Sequence, residues 1–344
     1  MNMLAQKENS NQNRNFKESE TSKVPKFRDL EGAAITVIGA GISGLASAYV
    51  LSKANHSVKI IAKNFSPNIT SNRAAAFWFP YHIRNDERGI HWCQYSYGMY
   101  QNFAENNSTG VSMKKLLKVV RNNVEEQEMT WFSFMPEGSY RIMNKDEIPE
   151  GNAVGYDVQV PLIETQIFLP WLMNELQKMN VEIEKKEIGS FDEIKNADLI
   201  INCSGLGSQH LCNDKEMIPI RGQVALLEPK NFPFIFLDNE MPLYIVPRKD
   251  AIIVGGTFEE GVEEAVCEPA TLDKILDNAY HVFPELKKKK VIGSWAGLRP
   301  YRPLVRVERE KNIIHNYGHG GSGFTLAWGC AEEVGRLVSE KYIK

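Results

Sequence analysis

Three glycines at Gly39-x-Gly41-x-x-Gly44 stand directly after an apolar run and before a helix-forming stretch. In that position each has a separate task. The first makes a tight strand-to-helix turn, the second lets a pyrophosphate approach the backbone, and the third lets helix and strand pack closely. The first N–H groups of the helix, Ile42 and Ser43 among them, then face the phosphate with the positive end of the helix dipole. A bare GxGxxG also occurs in ordinary turns, so its placement between two strands is what argues for a dinucleotide. At the end of the second strand, where an acidic residue commonly receives ribose hydroxyls, the chain has Lys63 and Asn64. A lysine cannot accept those bonds. Either Lys63 meets a phosphate, which keeps NADP open, or Asn64 and backbone carbonyls hold the ribose. A second turn, Gly318-His319-Gly320-Gly321-Ser322-Gly323, also precedes a helix, and suits a long ligand touched at two places.

The elements that must position these turns follow from hydrophobic patterning. Ala34–Ile38 and His56–Ala62 read as strands flanking a helix from Leu45 to Ala54, one βαβ unit. Ala197–Gly205 reads as another buried strand ending in a polar turn. Leu162–Met179 has the apolar spacing of an amphipathic helix. Strands are expected at Gly155–Val160, Val181–Glu184, Gln223–Leu227, Leu243–Pro247 and Ala251–Gly255, and helices at Leu272–Tyr280 and Phe324–Tyr342. Trp92–Glu105 and Gly110–Asn122 read as helical or irregular. Nucleotide-fold segments far apart in sequence imply a discontinuous domain. The predicted fold class is therefore α/β, a Rossmann-like domain interleaved with a mixed-sheet α+β substrate domain. Residues 31–80, 181–230 and 290–344 would form the first, 81–180 and 231–289 the second. The polar start, up to about Lys26 and within residues 1–30, is expected to be a lead-in.

Composition narrows the partners. Forty Lys and Arg against forty-three Asp and Glu give a net charge of -3, which offers no global attraction for nucleic acid or an anionic membrane. The start lacks an apolar stretch long enough for a signal peptide or a membrane span. Five scattered cysteines without CxxC or Cys/His spacing fit reduced thiols in a cytoplasmic protein, and no metal is expected. The Lys287–Lys290 run reads as a solvated turn.

Taken together and in order, several motifs resemble the D-amino-acid oxidase and D-aspartate oxidase family. They are VIGAGISGL at Val37–Leu45, AAAFWFPY at Ala74–Tyr81, INCSG at Ile201–Gly205, RGQ at Arg221–Gln223, GLRPYRP at Gly297–Pro303, VERE at Val307–Glu310, and HNYGHGGSGFTLAWG at His315–Gly329. The resemblance spans most of Ala34 to Leu337. It implies FAD as cofactor, an amino acid and dioxygen as small-molecule partners, and a homodimer as a candidate assembly. It implies hydride transfer from the substrate α-carbon to flavin N5, release of keto acid and ammonia, and peroxide formation.

Residue by residue, Arg299 matches the arginine that grips the substrate carboxylate, a role suited to its planar fork. Tyr244 matches a tyrosine that adds another hydrogen bond to it. Arg73, Ala74 and Ala75 match a stretch around the flavin, Trp78 and Phe79 a wall near flavin and substrate, and Ile188 an adenine-side contact. Ser204, Gly205 and Gly297 fall in matched cofactor-side motifs. Gly320, Gly321, Ser322, Gly323, Phe324 and Thr325 match the turn beside the ring, where backbone donors or Thr325 could stabilise negative charge on reduced flavin. Ser322 replaces a bulkier tyrosine found in some members. Where mammalian members carry a lid tyrosine, four positions before the one matched by Tyr244, the chain has Glu240, so a charge-recognition role for cationic substrates is weighed against a solvent-exposed loop acid. Phe79 cannot donate to a second carboxylate, which favours neutral or apolar D-amino acids. Alternatives are a glycine or sarcosine-type secondary-amine oxidase, a dehydrogenase using another electron acceptor, and a flavin-binding protein without catalysis.

Overall fold

The computed structural model describes residues 32–121, 126–229 and 231–340. The expected lead-in lies outside the described residues. In chain order the elements begin with β1 (Ala34–Ile38), α1 (Ile42–Lys53), β2 (Ser57–Ala62), α2 (Glu87–Ala104), β3 (Val111–Val120), β4 (Tyr140–Ile142) and β5 (Val154–Ile163). There follow α3 (Thr165–Lys178), β6 (Glu182–Lys185), β7 (Leu199–Asn202), the single turn α4 (Ser208–Leu211), β8 (Ile218–Leu227), β9 (Ile235–Asp238), β10 (Leu243–Pro247) and β11 (Ile252–Gly255). The last are β12 (Glu259–Glu260), α5 (Pro269–Val282), β13 (Val291–Glu310), β14 (Ile313–His319) and α6 (Gly323–Ser339).

All the described strands join one mixed sheet in the order β4-β5-β3-β9-β10-β11-β8-β13-β14-β7-β1-β2-β6, with β12 beside β8. At one end β14, β7, β1, β2 and β6 run parallel, as continuous apolar runs such as Ile35–Ile38 require when both faces are covered. At the other end neighbours are antiparallel except β3 with β9. The twenty-residue β13 links the halves: Trp295–Tyr301 pair with Ile218–Val224 of β8, and Arg306–Glu310 pair with β14 after a break in register. The antiparallel and parallel ends of the sheet are therefore joined through one continuous strand.

Two corrections to the sequence expectations emerge. Val111–Val120, read as helical or irregular, is strand β3, because the lysines that break its alternation are accommodated. Lys118 is buried with its ammonium 5.9 Å from the Trp131 ring. Second, α2 and α3 come from the segment assigned to the substrate side but pack on the nucleotide-side helices. Ser96 Oγ on α2 accepts from Trp328 and Gly329 N–H on α6 at 3.1 and 3.0 Å, and a Cβ on Gly329 would sit 2.3 Å from Trp92 Cα. Helix pairs approach this closely only where one side lacks a side chain. A main core gathers around α1, α2, α3 and α6, and a second lies between α5 and strands β9–β11.

Candidate active site

One cavity of about 1250 Å³ runs from the first glycine turn to Arg299. At its first end the turn is held by contacts that a side chain would break. Gly39 has φ +104° and a Cβ there would lie 2.4 Å from Cys203 O; one on Gly44 would lie 2.0 Å from Gly39 O. Gly44 thus packs beneath the turn, while Gly39, Gly41, Ile42 and Ser43 line the cavity. Ile42 N–H donates to Ser71 Oγ at 3.0 Å, and Ser43 Oγ donates to Asn316 O at 2.9 Å, fixing α1 to β14. Ser204 and Gly205, after β7, complete this end.

Lys63 and Asn64 also line the cavity, but the Lys63 ammonium is 2.8 Å from Glu187 Oε1. That pairing uses the cation that would have met an NADP phosphate. Ile188, the next residue, is not among the lining residues, a departure from its expected adenine-side contact.

The wall from Arg73 to Tyr81 lines the cavity at every position but one. Phe77 and Phe79 face the cavity, whereas Trp78 between them points the other way. Trp78 is fully buried, donates from its indole to Cys93 O at 3.2 Å and meets Tyr97 edge-on at 4.9 Å. Its expected place beside the flavin is thereby corrected to a core position. Arg73, Ala74 and Ala75 line the cavity, and their backbone is clamped from outside by Arg248, which is 5% exposed. Its five N–H donors are all used: Ala74 O (3.3 Å), Thr165 Oγ1 (3.0 Å), Gln166 Oε1 (2.7 Å) and both Asp250 carboxylate oxygens (2.9 and 2.6 Å). Buried Glu164 backs it at 3.8 Å, and Trp295 Nε1 donates to Arg73 O at 3.0 Å.

The second glycine turn meets this wall. Gly320, Gly321, Gly323, Phe324 and Thr325 line the cavity, but the Thr325 hydroxyl donates to Phe79 O at 3.0 Å, leaving only its backbone for a ligand. Ser322 is buried, does not line the cavity, and its hydroxyl donates to Tyr81 O, so it pins the wall. His319 and Asn316 adjoin the same region; His319 Nε2 and Asn316 Oδ1 have no hydrogen-bond partner among the described residues. Burial pushes the His319 pKa down to about 4, so the ring is neutral at pH 7.

At the far end four neighbouring strands, β10, β11, β8 and β13, bring Arg299 and Tyr244 together. In Arg221-Gly222-Gln223 the outer side chains turn to one face, where Arg221 pairs with Glu259 and Glu268 and Gln223 donates to Glu259 at 2.7 Å. Gly222 is left on the other face, and Arg299 lies over it: a Cβ there would be 2.3 Å from Nη2. Gly297 pairs opposite Gly222 in the ladder and also lines the cavity. Arg299 Nη1 donates to Thr257 O at 2.9 Å. The Tyr244 ring packs over Gly255 and Gly256 and 6.2 Å from Phe77. Burial raises its pKa, which the Arg299 cation partly offsets, so the hydroxyl stays protonated as a donor.

Glu240 does not line the cavity. Its carboxylate accepts from Arg121 N–H, and Arg121 Nε pairs with buried Asp238 at 2.6 Å. The loop acid is therefore tied to backbone at the sheet end. Arg306 pairs with Glu308 and Glu310, whereas Arg302 turns to Asp214 and Glu216, and Arg309 to the carbonyls of Lys311, Leu337 and Glu340. Tyr81, His82, Trp131 and Phe258 line the site without having been singled out. Tyr81 closes the AAAFWFPY motif, whose other residues except Trp78 line the same wall; the others come together only through tertiary structure.

The cavity exceeds the roughly 300–1,000 Å³ of ordinary small-molecule sites, and joins a phosphate cradle to an arginine. Its two ends offer backbone to a dinucleotide and a guanidinium to a carboxylate. The family model for FAD-dependent oxidoreductases matches residues 34–337. The chain belongs to that family. It is 34% identical to a D-amino-acid oxidase of Rubrobacter xylanophilus over 315 residues, covering 89% of this chain and 96% of that protein. A D-amino acid oxidase of Dugesia ryukyuensis is also 34% identical, over 90% of this chain and 98% of its own length. A human D-aspartate oxidase is 29% identical over 331 residues, 90% of this chain and 96% of that protein. Among solved structures, a glycine oxidase from Geobacillus kaustophilus superposes with TM-score 0.79 at 17% identity, covering 92% of this chain and 97% of that one. That likeness concerns the fold. The cofactor of this FAD-dependent oxidoreductase is FAD. No helix among the described residues is long and apolar enough to cross a membrane.

Proposed function

We propose that this FAD-dependent oxidoreductase converts a neutral or apolar D-amino acid, with dioxygen and water, to the 2-oxo acid, ammonia and hydrogen peroxide. The observation that carries the reading is the Arg299 guanidinium beside the protonated Tyr244 hydroxyl, in the same cavity as both glycine turns. The parallel block with α1, α2, α3 and α6 is taken as the cofactor half, and β3–β5 with β8–β11 and α5 as the substrate half. Gly39, Gly41, Ile42 and Ser43 would hold the pyrophosphate, Asn64 the ribose side, and Arg73–Ala75 with Gly320, Gly321, Gly323, Phe324 and Thr325 the ring. FAD, when bound, supplies the two-electron acceptor.

The residues of the chain orient and shield. Arg299 offers a planar fork to the α-carboxylate, and Tyr244 adds a neutral donor, so the α-carbon is held in one orientation. Phe77, Phe79 and Trp131 surround the remaining volume with aromatic surface, favouring apolar side chains. The one acidic side chain lining the cavity among the described residues, Asp238, is spent on Arg121. In this reading the substrate amine enters neutral and the α-hydrogen leaves with its electron pair, so the residues of the chain need only hold its orientation. Water then hydrolyses the imino acid to oxo acid and ammonia. A cytoplasmic setting belongs to the proposal, supported by five free cysteines.

Anaerobic addition of single amino acids to the yellow protein tests this. D-Alanine, D-proline or D-phenylalanine should bleach the flavin and their L-isomers should not, with peroxide released on admitting air. Bleaching by N-methylglycine in preference to every D-amino acid would transfer the protein to the secondary-amine oxidases.

A further inference from the structure

The substrate end of the cavity has an aromatic rim. Tyr81 and Phe258 are 37% and 42% exposed although both line the cavity, which places them at its mouth. His82 lies between them. Its ring stacks on Phe258 with centroids 5.2 Å apart and planes 28° from parallel, and meets Tyr81 edge-on at 4.3 Å. Tyr81 and Phe258 are themselves 6.5 Å apart.

The three rings come from two separate segments. Tyr81 and His82 end the wall, and Phe258 follows Thr257, whose carbonyl takes Arg299 Nη1. Tyr81 is fixed from behind, since Ser322 Oγ donates to its carbonyl. Gly321 lets its ring and the Arg299 stem lie side by side: a Cβ on that glycine would be 3.1 Å from Tyr81 Cδ1 and 3.6 Å from Arg299 Cδ. The loop at residue 240, by contrast, is held to Arg121.

We propose that Tyr81, His82 and Phe258 form a roof over the carboxylate site at Arg299, which closes behind the substrate and limits the side chains that enter. The proposal rests on the amino-acid oxidase reading. Tyr81 and His82 meet Phe258 ring against ring, outside the strand ladder, so the roof can part without breaking the sheet. Closed, it keeps water from the Arg299–carboxylate pair and strengthens that pairing. Phe258 and His82 are the specificity-determining pair, and Tyr81 is the fixed side on which they close.

The test uses the FAD-loaded protein with Phe258→Ala, His82→Ala and Tyr81→Phe. Two readouts are taken: iodide quenching of the bound flavin's fluorescence, and kcat and KM for D-alanine and D-tryptophan. Removing Phe258 or His82 should raise the quenching constant about twofold or more and raise KM for D-alanine about fivefold with kcat little changed. The D-tryptophan to D-alanine ratio of kcat/KM should rise with it. Tyr81→Phe, which keeps the ring, should quench as wild type does. Quenching and substrate ratio unchanged in both alanine variants would overturn the roof. If no D-amino acid reduces the wild-type flavin, the oxidase reading fails instead, and the quenching comparison still decides whether a roof exists.

Discussion

The two ends of the cavity are built from different material. At the first glycine turn the ligand would meet backbone, and the side chains that matter are the absent ones: Gly39 and Gly44 sit where a Cβ would enter Cys203 O or Gly39 O. At the substrate end the surface is side chains, gathered from β8, β10, β13 and the wall, each held by a neighbour. Arg299 depends on Gly222, Tyr244 on Gly255, and Tyr81 on Ser322. A backbone site is local in sequence and intolerant of any addition. A side-chain site is dispersed, and can be retuned one position at a time.

The largest break is expected at the backbone end. Gly44→Ala forces its Cβ against a carbonyl that cannot move without opening the turn, so the protein should purify colourless or fail to fold. The ratio of flavin to protein absorbance measures this. Normal FAD content in that variant would show the turn to be softer than its contacts imply.

Next comes the joint between the ends. Arg248→Ala removes five hydrogen bonds and leaves Glu164 buried without its cation, for an expected loss of roughly 3–5 kcal/mol. Urea unfolding measures it, and Arg248→Lys should recover only part, because an ammonium cannot serve five acceptors in one plane.

At the substrate end, Gly222→Ala should push the Arg299 fork aside while leaving the FAD cradle intact. A misplacement of about 1 Å costs on the order of 100-fold in rate, so kcat/KM for D-alanine should fall by about that factor in a protein that remains yellow. The smallest effect belongs to Glu240→Gln. Because its carboxylate caps Arg121 N–H outside the cavity, the rates with D-arginine and D-lysine relative to D-alanine should stay as in wild type. A selective loss with the cationic substrates would restore Glu240 to the pocket.

The same contrast governs what the sequence could reveal. The βαβ unit, the glycine turns, and strands such as Leu243–Pro247 were legible because strand periodicity and glycine spacing are local signals. Strand β3 was hidden by its lysines, whose tolerance depends on Trp131 and on carboxylates such as Asp157 in β5. The packing of α2 on α6 was hidden for a similar reason: Gly329 has meaning only once Trp92 is opposite it. Trp78 alone in AAAFWFPY turns into the core, for reasons that lie in its partners Cys93 and Tyr97 and not in its own segment. Neither His82 nor Phe258 carries a sequence signal, since their stacking joins residues far apart in the chain.

The central claim is that Arg299 holds the substrate carboxylate, and anaerobic flavin reduction in Arg299→Ala tests it most directly. The account predicts a folded, FAD-loaded protein whose reduction by D-alanine is slowed by at least about 100-fold, consistent with losing a charge-assisted bidentate contact of roughly 3 kcal/mol. Reduction at the wild-type rate, at the same D-alanine concentration, would contradict it.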